Sequence, residues 1–147
     1  MEKLRIKEFD TVQFTKMVRK IKLFSSMRMD LLEKILAWVG LHGYKKGEKI
    51  CRQGDIGDAF FVVYEGKVSV SVRKLGLFTK QIALLGPGDC FGEMALLRRA
   101  PRTATVTCEE DTRVFVLLSD NFNAALEGNA DFAEEMRRLA AERGFTV

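Results

Sequence analysis

Gly92, Glu93 and Arg102 combine residue types that recognise an anion bearing a neighbouring hydroxyl. Gly92 lets a ligand approach the backbone closely. It precedes Glu93-Met94-Ala95-Leu96-Leu97, strong helix formers with no branching at Cβ. The N–H groups that open such a helix attract anions. Arg102 follows Pro101, which disfavours a helical Ala100, so the short helix ends before it and Arg102 leads into a strand. A guanidinium there can fork two hydrogen bonds onto a phosphate, which an ammonium cannot. Glu93 is the odd member of an anion site. One resolution is a sugar, with Glu93 accepting from a ribose hydroxyl while Arg102 holds the phosphate. The other is a Glu93–Arg102 ion pair with no ligand, since surface pairs are common. The residues alone leave both open.

The elements that position these residues follow from hydrophobic periodicity. Phe14, Met17, Val18 and Ile21 recur at i, i+3, i+4 and i+7, with Lys16, Arg19, Lys20 and Lys22 on the other side, which predicts an amphipathic helix. Leu23-Phe24-Ser25-Ser26 interrupts it. A second helix is expected over 30–39, with Leu31, Leu32, Ile35 and Val39 as its apolar face and Gly40 as its stop. From residue 41 short Val-, Ile- and Phe-rich segments alternate with glycine-marked turns. Val68, Val70 and Val72 alternate with polar residues, as in a strand with one buried face. Strands are expected at 41–45, 48–52, 59–65, 67–74, 79–85, 89–91, 104–109 and 112–118, which suggests a jelly roll or small barrel. Ser119 can cap a short helix through Leu126, and Asn129 a final one to about Arg143, ended by Gly144. The expected fold class is α+β: an eight-stranded antiparallel β-roll with an inserted short helix and flanking helices. One domain spans 1–147, with N-terminal helices over 1–40, the roll over 41–118 and C-terminal hinge and lid helices over 119–144.

Composition excludes several alternatives. The 147 residues suit one compact domain, and the densest apolar stretch, residues 60–64, is far too short to span a bilayer. The first ten residues lack a signal-peptide apolar region, which places the domain in the cytosol, free or on the cytosolic face of a membrane protein. Cys51, Cys90 and Cys108 are too few and too scattered for a disulfide framework and read as buried thiols. His42 is the only histidine, so neither a metal site nor a Ser-His-Asp or Cys-His arrangement can be assembled. Glu109-Glu110-Asp111 falls between two strands and reads as a solvated turn. The net charge of +4 is spread along the chain, with adjacent arginines only at 98–99 and 137–138, and reads as solvated surface rather than a nucleic-acid interface.

The run Phe91-Gly92-Glu93-Met94-Ala95-Leu96-Leu97, then Pro101-Arg102-Thr103-Ala104-Thr105-Val106, resembles the phosphate-binding cassette of the cyclic-nucleotide-binding domain family. Gly54-Asp55-Ile56-Gly57-Asp58-Ala59, Glu65-Gly66-Lys67-Val68 and Leu85-Gly86-Pro87-Gly88-Asp89 resemble the family's turns upstream of it. The resemblance covers roughly residues 23–143. In pattern it is nearest the soluble C-terminal domain of prokaryotic cyclic-nucleotide-regulated potassium channels.

The resemblance implies a cassette over 91–106. In it Glu93 would take the ribose 2′-hydroxyl and Arg102 the phosphate oxygens. Amides around Gly92, Ala95 and Ala104 would complete the cradle, with Phe91 and Met94 beside them and the Thr103 hydroxyl added. Asp58 would orient the arginine from behind it. Val70 would lie against the base, although a plain core valine is the more natural reading. Arg143 would cap the base from the final helix, against the alternative of a solvated helix end. A Thr at 103 can favour cGMP in this family, and members with Thr that respond to cAMP exist; cAMP is the expected ligand, with cGMP binding too. No cofactor beyond that ligand, and no metal, is implied.

The expected function is therefore a non-enzymatic sensor. Ligand closes the short helix and the C-terminal helices over the roll, and the N-terminal helices pass the change to an effector domain or protein, foremost an ion channel. A kinase, a transporter or a stand-alone receptor are alternatives. So is a transcription factor, which would need a helix-turn-helix beyond the last helix. A degenerate member used only for interaction would have no reason to keep both Glu93 and Arg102. Nucleic acid and direct membrane insertion are not expected of this segment, and the N-terminal arm can pair with a second copy to form a homo-oligomer.

Overall fold

The computed structural model describes residues 1–21, 24–25, 27–74, 78–97, 99–126, 134 and 138. Of the final helix expected over 129–143, only residues 134 and 138 are described, both helical, and Arg143 lies outside the described residues. The elements run β1 (Glu2–Leu4), α1 (Glu8–Val18), α2 (Met29–Leu36), β2 (Gly40–Tyr44), β3 (Lys49–Cys51), β4 (Ala59–Glu65), β5 (Val68–Lys74) and β6 (Phe78–Leu85). They continue as β7 (Cys90–Phe91), α3 (Met94–Leu97), β8 (Thr105–Cys108), β9 (Thr112–Leu118) and α4 (Ser119–Leu126). The strands form two antiparallel sheets, a five-stranded one in the order β1-β2-β9-β4-β7 and a four-stranded one in the order β3-β8-β5-β6. Together they make a jelly-roll-like β-roll with helices at one side, the α+β architecture that the sequence predicts.

The central strand β4 shows why the layers stack this way. All of its residues but the last are buried, so it is apolar throughout instead of alternating. Phe60, Val62 and Tyr64 point to one core, shared with Phe14 and Val18 of α1, Leu32 and Ile35 of α2, and Phe122 of α4. Ala59, Phe61 and Val63 point to the other, shared with Val68, Val70, Val106 and Cys108 of the four-stranded sheet. The five-stranded sheet thus separates a helical layer from the second sheet, and β4 touches both.

Each of the eight expected strands is present, with ends within one residue of the expected ones. Two expectations are corrected. A ninth strand, β1, pairs antiparallel with β2 at the sheet edge, so residues 1–40 are not helical alone. Its Glu2-Lys3-Leu4 sequence has no apolar alternation because edge pairing uses the backbone and leaves Glu2 and Lys3 in solvent. Gly40 does not stop α2. The helix ends at Leu36, its last turn tightens through Trp38 N–H to Ile35 O (2.9 Å) and Val39 N–H to Leu36 O (3.4 Å), and Gly40 opens β2 opposite Val116.

Candidate functional site

The residues around Arg102 are held by backbone pairing between two loops. Arg102 N–H donates to Asp55 O (2.7 Å), Gly54 N–H to Arg102 O (2.9 Å) and Gly57 N–H to Ala100 O (2.9 Å), with an isolated bridge between Ile56 and Pro101. The turn at 54–57 therefore templates the segment carrying the arginine. Gly54 has φ +92°, which only glycine adopts readily. Gly57 serves differently. A Cβ there would stand 2.9 Å from Arg102 Nε and 3.0 Å from Cζ, so its missing side chain is the space the arginine stem occupies.

Arg102 is 7% exposed. Its Nη2 donates to Ala59 O at 2.7 Å, which fixes the plane of the guanidinium. Its Cζ lies 5.8 Å from the centre of the Phe61 ring, which stacks on Phe91 at 4.9 Å. Arg102, Phe61 and Asp58 line a cleft of about 220 Å³ together with Cys51 and Ile56. Burial pushes the Cys51 thiol up to about 11; the Arg102 charge pulls the other way, and Asp58 and Asp55 add to the rise. Asp58 and Arg102 line the same cleft, and the acceptor that holds the guanidinium is Ala59 O. Gly57, Ala59 and Phe61, which shape the surroundings of Arg102, were legible in the sequence only as turn punctuation and strand.

Gly92 has φ +86°, the left-handed turn that starts α3. Glu93 follows at 2% exposure, a carboxylate carried into the interior by that turn. Ala95 N–H donates to Gly92 O (3.0 Å) and Leu96 N–H to Glu93 O (3.1 Å), so the Ala95 amide expected to face a phosphate is here engaged in the turn itself. Phe91 and Ala104 are each 1% exposed, while Thr103 is exposed in the bend before β8. Val70 is fully buried in the inter-sheet core and does not line the Arg102 cleft. Met94 opens α3, and its side chain lies outside the description.

Two links tie this region to the helices. Ser119 N–H, the first of α4, donates to Asp58 O at 2.9 Å. Leu96 of α3 shares a core with Phe122 of α4, Phe24 and Phe60. On the far side of β4, Tyr64 Oη donates to Asp10 Oδ1 (2.9 Å), and Asp10 Oδ2 accepts from Lys7 N–H (2.9 Å) at the start of α1. The Lys7 N–H bond, aided by Tyr64, holds the Asp10 carboxyl below the usual carboxylate range despite its burial. Nothing in the sequence had singled out Asp10, one charged residue among many.

Glu109, Glu110 and Asp111 are exposed between β8 and β9. Among the described residues no three His, Cys, Asp or Glu side chains gather as a metal site, and no helix is long and apolar enough to cross a membrane.

A family model described as the cyclic nucleotide-binding domain matches residues 41–129, more than half of the chain. The Cyclic AMP receptor protein of Thermus thermophilus is 33% identical over 121 residues, covering 82% of this chain and 56% of that protein. The Cyclic nucleotide-gated potassium channel mll3241 of Mesorhizobium japonicum is 33% identical over 138 residues, covering 94% of this chain and 37% of that one. The co-crystal structure of the regulatory domain of Toxoplasma gondii PKA with cAMP superimposes with a TM-score of 0.76 at 30% identity, over 82% of this chain and 46% of that one. The chain thus spans about half or less of the length of these relatives.

Proposed function

Because the chain belongs to the cyclic nucleotide-binding domain family, we propose that it is a non-enzymatic sensor that binds cAMP, and cGMP as well, and signals by rearranging its helices. The observation that carries the reading is Arg102, a buried guanidinium with its plane fixed by Ala59 O at a cleft it shares with Asp58 and Phe61. Burying a phosphodiester charge without a partner would cost several kcal/mol; a guanidinium already desolvated and oriented meets that cost with little further ordering.

Glu93 reads the ribose in this proposal, since a carboxylate accepts from a hydroxyl and repels a second phosphate. Gly92, Thr103 and Ala104 supply the remaining contacts, and Ala95 N–H joins them only if the first turn of α3 loosens from Gly92 O. That requirement gives the ligand a means of acting. A shift of α3 moves Leu96 against Phe122 of α4, and ligand drives it to the extent that it binds the shifted state more tightly.

The effector we propose is an ion channel that receives the change through α1 and α2. The 138-residue alignment with the potassium channel, which reaches across 94% of the chain, favours this over the receptor-type reading, whose alignment covers 82%. The binding test is isothermal titration of protein stripped of carried-over nucleotide. Saturable binding of cAMP, with cGMP competing, is expected; no uptake of either would end the proposal. Incubation with cAMP should yield no 5′-AMP.

A further inference from the structure

The face of the four-stranded sheet that points away from the core carries a second, chemically distinct concavity of about 720 Å³. It arises from strand alternation. Val70, Val106 and Cys108 point inward and are buried, while Ser71, Thr105 and Thr107 beside them line the outer concavity. Ser71 pairs with Thr105 across β5 and β8, and Lys49 with Thr107 across β3 and β8. These four line the concavity with Arg52 and Arg73.

Its charge is unbalanced. Among the described residues none of Lys49, Arg52 and Arg73 makes an ion pair, whereas Arg28, Lys45 and Arg113 elsewhere each meet a carboxylate. The lining holds one acid, Asp55. One wall is built rather than incidental. The Gln53 side chain accepts from Arg73 N–H (2.7 Å) and donates to Arg73 O (3.3 Å), and Gln53 N–H donates to Thr105 Oγ1 (3.0 Å). A side-chain amide thus does the work of a strand, tying the turn after β3 to β5 across the end of β8.

We propose that this cup is a second anion site, for a phosphate group presented without a base. Guanidinium and hydroxyl donors together match phosphate oxygens. The lining includes no aromatic or aliphatic side chain to hold a base or an acyl chain. Lys49 and Arg52 also reach the rim of the Arg102 cleft, but Arg73 and Thr105 do not, so Arg73 distinguishes the two sites. Its main chain is what Gln53 grips, so changing its side chain leaves the wall in place.

The test titrates inorganic pyrophosphate into the isotope-labelled chain, with and without saturating cAMP, and follows the amide resonances. Saturable shifts at Arg73, Thr105 and Thr107 are expected under both conditions. Arg73→Glu should weaken binding at least tenfold, and the same charge reversal on α1, Lys16→Glu, should change it less than twofold. Shifts confined to residues 91–104, or equal weakening by both reversals, would overturn the site. A parallel arm sediments the protein with phosphatidylcholine vesicles with and without phosphatidylinositol bisphosphate. Arg73-dependent co-sedimentation would assign the phosphate to a lipid headgroup; pyrophosphate binding without it would assign a soluble phosphate; neither response would overturn the proposal. Failure of cAMP to bind would leave this result standing, because pyrophosphate is read at residues outside the Arg102 cleft.

Discussion

Gly57 and Arg102 occupy each other's space: the point where a side chain would begin at residue 57 lies 2.9 Å from the arginine Nε. Gly57 does not have a left-handed φ, so its value lies in the room it leaves, not in the backbone shape it permits.

Gly57→Ala is therefore expected to fold and to bind poorly. The methyl must displace the guanidinium from Ala59 O, and cAMP affinity should fall at least roughly tenfold, about 1.4 kcal/mol, with little change in melting temperature. Gly66→Ala is the contrast. Its φ is +106° and a Cβ would lie 2.7 Å from Thr112 Cα, so thermal unfolding should show a loss of about 2–4 kcal/mol. An unaltered Gly57→Ala affinity by calorimetry would remove Arg102 from the site.

Arg102→Lys keeps the charge and loses the fork. An ammonium cannot hold Ala59 O and two phosphate oxygens in one plane, and binding should weaken by about 2–4 kcal/mol, roughly 30- to 700-fold. Calorimetry that finds the lysine variant within threefold of the parent contradicts a bidentate role, taking about threefold as under 1 kcal/mol.

Glu93→Ala separates the two readings of that acid. If it reads a ribose, the parent prefers cAMP to its 2′-deoxy analogue and the variant does not, a difference of about 1–3 kcal/mol for one lost hydrogen bond to a charged acceptor. If Glu93 only pairs with a cation, discrimination is the same in both proteins.

Tyr64→Phe tests the tie between α1 and β4. Losing the hydroxyl should cost about 1–2 kcal/mol at neutral pH in urea unfolding. The sign of its pH dependence follows from Asp10, whose carboxyl is held low in the folded state. Its stabilisation is complete above the unfolded pKa of about 3.9 and is lost as pH falls through the lower folded value. The gap between parent and variant should narrow below about pH 4, and a gap that widens on acidification would contradict the assignment.

What the sequence disclosed divides by the range of the interaction. The strands were legible because β5 alternates Val68, Val70, Val72 and because glycines mark the turns. The start of α4 was legible from a serine followed by helix-compatible residues, although Ser119 stands inside the helix as its first residue. β1 was hidden because an exposed edge strand needs no apolar pattern. Gly40 misled because a glycine after a helical stripe stands equally well in a helix stop or a strand start, and its pairing with Val116 is 76 residues away in the chain. At the candidate site, the types and spacing of Glu93 and Arg102 pointed to an anionic, hydroxylated ligand or to an ion pair. Gly57, Ala59 and Phe61 gave no such signal, since a missing Cβ, a carbonyl and a ring edge acquire meaning only when Arg102 is folded against them.

The hydrogen bond from Ser119 N–H to Asp58 O runs between two main-chain groups. A survey that trims side chains to alanine one at a time would leave it whole at both ends and find no transmission route there. A proline at 119 would be the informative lesion: it erases that one donor, follows the extended Leu118, and suits the opening position of a helix. The contact between α4 and the turn that pairs with the Arg102 segment is thus written in peptide units, where chemical identity of the residues leaves almost no trace.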